Sequence, residues 1–245
     1  MVRKYIEENP VQLSTVCSQL LKDGIQVSKK MLKRFLKSLG YSYKRARAKI
    51  TKCNREAFDK AKEEIEILKE ETIKDKNLEL YFFDESSFSL TPNIPYGWSL
   101  KNETILLEGT RSKSLKVLGF LGLDNQLKSY ITTGTIDSIF LIEIFDDFVS
   151  QIPKNKQVTV ILDNAPTHTS NLFQDKIEEW KTQGLTLYFL PTYSPELNRI
   201  EILWRFMKYH WINIKDYAST QTLEDYIYRI LASYGKDNGI EINFG

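Results

Sequence analysis

Apolar positions recur at helical spacing in the first third of the chain and in strand-like runs after residue 76. Residues 10–22, PVQLSTVCSQLLK, read as a helix: Pro10 suits a first turn, and Val11, Val16, Leu20 and Leu21 fall near one face. Asp23-Gly24 stops it. Ser28 is placed to cap a second helix, whose apolar side is Met31, Leu32, Phe35, Leu36 and Leu39 and whose stop is Gly40. Two short helices around a glycine-containing turn, the second basic, match a helix-turn-helix. Residues 41–52, YSYKRARAKITK, form a basic connector that can lie along a groove or a phosphate backbone. Residues 54–74 predict a charged helix with few apolar residues beyond Phe58, Ile65, Ile67 and Leu68, a bridge between domains.

The second part alternates differently. LELYFFDES (78–86) reads as a strand ending in Asp84 and Glu85, and further strands are predicted at 104–109, 114–124 and 126–134. The last two make a hairpin turning at Asp124-Asn125. An amphipathic helix follows over 138–152, then the strand of VTVILDNAPTHTS (158–170), a helix over 170–183, a strand over 186–191, and helices over 197–211 and 220–234. Antiparallel strands first and alternating strand and helix afterwards predict an α/β protein with a mixed sheet covered by helices on both faces. The domains expected are 1–52 (helix-turn-helix and basic connector), 53–76 (linker helix) and 77–245 (the sheet domain).

Charge changes the picture more than bulk composition does. The 245 residues carry a formal net charge of only +2, and 42% are hydrophobic, enough for a real core. Between Ser28 and Arg55, however, eleven basic residues occur and no acidic one. Lys29, Lys30, Lys33, Arg34, Lys37, Lys44, Arg45 and Arg47 are the candidate contacts to a polyanion. Two cysteines far apart imply neither a disulfide framework nor a zinc site, and a reducing cytoplasmic setting fits. No apolar stretch approaches the roughly 18 residues of a membrane span.

Three acids stand in apolar settings: Asp84, Asp163 directly after the run Val158 to Leu162, and Glu201 in the first turn of a helix. Ligand sites in such sheets form beyond the carboxyl ends of strands, so the two aspartates converge if their strands are neighbours. Clustered carboxylates repel unless a cation joins them, and Mg²⁺ prefers oxygen donors. Two ions about 4 Å apart would suit phosphoryl transfer. Strand alternation turns Glu85 to the opposite face, so it is left out of this set, as are Glu196, Asp146 and Asp147.

The segments FFDESSFSLTPNIPYGWSLKN, VILDNAPTHTS and LYFLPTYSPELNRIEILWRFMK resemble, in order, three blocks of bacterial insertion-sequence transposases of the mariner superfamily. GIQVSKKMLKRFLKSLGYSYKR is similar to that family's helix-turn-helix, of which relatives usually carry two and this chain has room for one. The resemblance implies an RNase H-like domain and a catalytic, metal-holding triad of Asp84, Asp163 and Glu201, the last two separated by 37 residues. It implies two Mg²⁺ or Mn²⁺ ions, and cleavage of transposon ends whose 3′-hydroxyls then join target DNA, typically at TA. Partners would be double-stranded DNA, as terminal inverted repeats and target, and a second copy of the chain, with no membrane, in the bacterial cytoplasm with the nucleoid. Asn164, His168, Trp98 and Arg199 are possible supports of the site, Arg199 standing where the family commonly has proline. Pro191, Tyr193, Ser194 and Pro195 shape the loop before Glu201, and Trp204 reads as core. Two other readings of the same residues are a catalytically silent DNA-binding remnant or regulator, and a nuclease without strand transfer.

Overall fold

A computed structural model describes residues 1–8, 13–42, 54–90, 114–212 and 214–236. The strand expected at 104–109, Trp98, and Lys44, Arg45 and Arg47 lie outside the described residues. The chain divides into two compact units, Met1–Lys49 and Ile50–Gly245.

The first unit contains α1 (Val2–Glu8), α2 (Leu13–Lys22) and α3 (Lys29–Ser38). Ile6, Val16, Leu20, Leu32 and Leu36 are its buried core. Gly24 and Gly40 close α2 and α3 at φ 79° and 83°, a conformation that only glycine enters freely. The Ser28 hydroxyl accepts from the Met31 amide at 3.2 Å, the expected N-cap. Two expectations need correction. Helix α1 has no counterpart in the sequence reading, because VRKYIEE carries too few apolar residues to show a period. Met31 and Phe35, assigned to the inner face of α3, are 59% and 47% exposed, since Leu32 and Leu36 alone fill the gap against α2.

The second unit is built on a five-stranded sheet: β1 (Leu78–Phe88), β2 (Leu115–Gly122), β3 (Leu127–Thr132), β4 (Gln157–Leu162) and β5 (Leu185–Phe189), in the order β3-β2-β1-β4-β5. The β1–β2 and β2–β3 pairs are antiparallel, whereas β1–β4 and β4–β5 are parallel. Asn125 supports the β2–β3 turn at φ 68°. This is the mixed sheet of an RNase H-like domain. Alternation along β1 assigns its two faces. Leu80, Phe82 and Phe88 join the core formed with α4 (Arg55–Lys74), α7 (Ile200–Phe206) and α8 (Thr220–Ser233). Tyr81 and Phe83 join the core formed with α5 (Ser138–Ser150) and α6 (Asn171–Thr182). Helices therefore cover both faces. Helix α4 packs on the sheet through Ala61 and Ile65, and Tyr188 donates to Glu64 at 2.6 Å, which ties α4 to β5. No helix among the described residues is long and apolar enough to cross a membrane.

Candidate active site

Strand β1 does not end at Asp84, as its sequence predicts, but runs on to Phe88 because β2 continues to pair with it through Phe88↔Leu115. What ends near Asp84 is the pairing with β4, whose last matched residues are Phe82 and Ile161. Two further steps in that register set Asp84 level with Asp163. Asp84 shares the face of Leu80 and Phe82, the side covered by α7, and Asp163 follows directly on the last residue of β4.

Glu201 is brought there by the start of α7. Asn198, buried, donates from Nδ2 to the Phe83 carbonyl at 2.9 Å, and its own carbonyl accepts from the Glu201 amide at 3.1 Å. One side chain thus fastens the helix start to the strand beside Asp84. Gly119, opposite Asp84 on β2, makes the approach possible: a Cβ there would lie 2.9 Å from Ile200 Cδ1 and from the Trp204 ring. Arg199 braces the same helix. Its guanidinium donates to the Leu123 carbonyl and to Asn125 Oδ1, each at 2.9 Å, tying α7 to the β2–β3 hairpin. Trp204 is core, as expected.

Asp84, Asp163 and Glu201 line one cleft of about 350 Å³, together with Asn164 and the loop from Leu190 to Pro195. The Asn164 side chain donates to the Leu190 carbonyl and so joins the two halves of the cleft wall. Tyr193 on that wall is 51% exposed and holds φ at 61°, a strained position for a bulky residue.

The electrostatics register the crowding of acids. Burial and then the charge of Glu201 push the Asp84 carboxyl up to about 8. Burial also raises Glu201, against the pull of Lys208 and Arg205. Asp163 is lowered, chiefly by its hydrogen bond with His168. Burial lowers the Lys208 ammonium, against the charges of Asp84 and Glu201, which favour its charged form. Lys208 was missed in the sequence. It sits seven residues after Glu201, two turns along, where Met207–Trp211 widens into a π-helical turn, and that spacing was the available signal. The same π turn shortens the helix expected over 197–211.

His168 is buried beneath the cleft on the α5–α6 side, its ring against Phe83 and Phe173. Its Nδ1 is 2.8 Å from Asp163 Oδ1, and its Nε2 is 3.5 Å from Glu85 Oε1. Burial alone would lower the imidazole, but the hydrogen bond to Asp163 and the closeness of Glu85 outweigh it and raise it to about 9. Asp146 and Asp147, set aside in the sequence reading, bond Trp180 and Tyr130. The basic residues Lys29, Lys30, Lys33, Arg34 and Lys37 are all exposed on α3 in the first unit.

Among the described residues no three His, Cys, Asp or Glu side chains are gathered tightly enough to hold one ion. The three carboxylates line one cleft without converging on a single point. Their chemistry still fits a hard divalent cation: the donors are all oxygen, and the Asp84 carboxyl is crowded by Glu201 and Asp163.

A family model described as DDE superfamily endonuclease matches residues 79–224, which spans β1, β4 and α7 with all three acids. The chain belongs to this family. Three solved structures resemble this DDE superfamily member over nearly its whole length. A Mos1 transposase paired-end complex with left transposon end is 17% identical with a TM-score of 0.62, covering 96% of this chain and 70% of that one. A Mos1 mariner paired-end complex with Mn is 17% identical at 0.62, covering 97% and 71%. A Mos1 strand transfer complex is 16% identical at 0.61, covering 97% and 70%. At such identities the likeness is one of fold. No curated protein matches the chain.

Proposed function

We propose that this chain is a DNA transposase that cuts transposon ends and joins them to target DNA. One observation carries the reading: Asp84, Asp163 and Glu201, distant in sequence, line a single cleft. Membership of an endonuclease family and a fold shared with Mos1 complexes holding transposon DNA support it. One of those relatives was solved with Mn, which supports divalent metal use.

In this reading Asp84, Asp163 and Glu201 are the catalytic metal ligands, and two Mg²⁺ or Mn²⁺ ions would supply the positive charge that activates water or a 3′-hydroxyl and stabilises the leaving oxygen. Rigid strands fix the two aspartates better than loops would. Asn198 and Gly119 hold Glu201 against the sheet, and Lys208 offsets the acids' mutual repulsion. Asn164 holds the cleft wall. Residues 1–52 bind DNA, with Lys29, Lys30, Lys33, Arg34 and Lys37 on phosphates and the basic connector extending the surface. Residues 53–76 link this part to the catalytic part, 77–245. The partners are terminal inverted repeats, target DNA at TA and a second copy of the chain, since two ends must be held together. A bacterial cytoplasm is where such an enzyme would meet its DNA.

The test is a plasmid carrying the DNA that flanks the gene, incubated with protein and Mg²⁺ or Mn²⁺. Cleaved and joined products are expected. Asp163→Asn should lower cleavage by about 10³-fold, the equivalent of about 4 kcal/mol of transition-state stabilisation, while leaving DNA binding intact. Cleavage that survives in that variant refutes the triad. Binding without cleavage in the unaltered protein means a silent regulator, and cleavage without joining means a simple nuclease.

A further inference from the structure

We infer that Glu85 and His168 form a positioning pair that sets the Asp163 carboxylate from the opposite side of the sheet. The inference rests on the metal-dependent reading above and adds to it two residues that never touch DNA or ion. Glu85 follows Asp84 on β1, so alternation turns it away from the cleft, toward the face where Phe83 packs. That side holds an imidazole, with only 2% of His168 exposed. The ring faces a carboxylate at each nitrogen: Asp163 Oδ1 at 2.8 Å from Nδ1 and Glu85 Oε1 at 3.5 Å from Nε2. Nδ1 also stands 3.1 Å from the Asp163 carbonyl, so side chain and main chain of that residue are held from one atom.

The segment that carries the ring is held in place. The His168 amide donates to the Ala165 carbonyl at 2.9 Å, its carbonyl accepts from Gln174 Nε2 at 2.8 Å, and Phe83 and Phe173 border the imidazole. The Ala165 amide adds a second bond to Asp163 Oδ1, at 3.0 Å. Among the described residues both of these contacts to the carboxylate fall on Oδ1, and Oδ2 is the oxygen left for a cation. A ligand carboxylate with one oxygen pinned can present the other in one direction only. Glu85 completes the arrangement from the far side of the ring: its carboxylate stands 3.5 Å from Nε2, close enough to act on the imidazole by charge though not by a hydrogen bond. Carboxylate–histidine pairs behind metal ligands act in this way, and their loss typically weakens metal affinity about 10- to 100-fold.

A structural role for His168, merely closing the loop from Asp163 to Ser170, makes a different prediction, and metal binding separates the two. Free Mn²⁺ is titrated by electron paramagnetic resonance into the full chain without DNA, and thermal midpoints are measured in EDTA. Glu85→Gln should raise the Mn²⁺ dissociation constant by about 10-fold or more with an unchanged midpoint in EDTA. His168→Gln should do the same, and the double variant should bind Mn²⁺ no worse than His168→Gln alone, because the two act in series. A Glu85→Gln affinity equal to that of the unaltered protein overturns the inference. So do additive losses in the double variant, or an affinity loss matched by a fall in the EDTA midpoint. Failure of the underlying reading looks different: unaltered protein would bind no Mn²⁺, or Asp163→Asn would bind it as well as unaltered protein does.

Discussion

Gly119 shows how a residue without a side chain can control a distant acid. Its missing Cβ is the space that Ile200 and Trp204 occupy at 2.9 Å, and Glu201 lies next to Ile200 on α7. Gly119→Ala should destabilise the sheet unit by about 1–3 kcal/mol through overpacking, read as a lower midpoint in urea unfolding. Trp180 offers a second case. It is fully buried, stacks on Phe145 and donates to Asp146 at 2.7 Å. Trp180→Ala should cost about 3–5 kcal/mol in the same measurement, and Trp180→Phe much less, since most of the buried ring is kept. At this scale the acids themselves were legible, because Asp84, Asp163 and Glu201 interrupt apolar runs. Their supports were not. Glu85 could be turned away from the cleft by alternation alone, yet the imidazole waiting on that side belongs to a segment 83 residues later. Arg199 could be named a support of the site, but nothing in LNRIE reveals the hairpin carbonyl within its reach.

Elements were read best where local chemistry fixes their ends. Ser28, Asp137, Ser170 and Ser219 all cap the helices that follow them through side-chain hydrogen bonds. Ser28→Ala should cost the first unit about 1 kcal/mol, seen as faster amide exchange along α3 with exchange in β1 unaffected. Elements whose limits depend on partners were read less well. Helix α7 gives way to a π turn after Phe206, and β1 is extended by β2 beyond the point where β4 stops. Neither limit has a local sign, since FMKYHW continues a good helix pattern and DESSF continues a strand. Helix α4 reads as a bridge between domains because its apolar residues are few, but Ala61 and Ile65 are buried, Leu68 packs on the core and Tyr188 bonds Glu64, which together seat it on the sheet.

On the scale of the whole molecule, the near-neutral chain is two chemically different parts. The exposed lysines and arginine of α3 carry the positive field, and the sheet unit carries the acidic cleft. DNA binding should therefore fall steeply with salt, and Lys33→Ala or Arg34→Ala should each reduce the slope of log K against log salt by about 0.9. EDTA should abolish cleavage and leave that binding unchanged, because phosphate contacts by lysine and arginine need no ion. The central claim is that Asp84, Asp163 and Glu201 hold divalent ions in one cleft. Anomalous diffraction from crystals grown with Mn²⁺ tests it most directly. Mn²⁺ peaks bounded by the three carboxylates are expected, about 4 Å apart when DNA is bound. Saturating Mn²⁺ that leaves the cleft without a peak, or that binds only elsewhere on an intact protein, would contradict it.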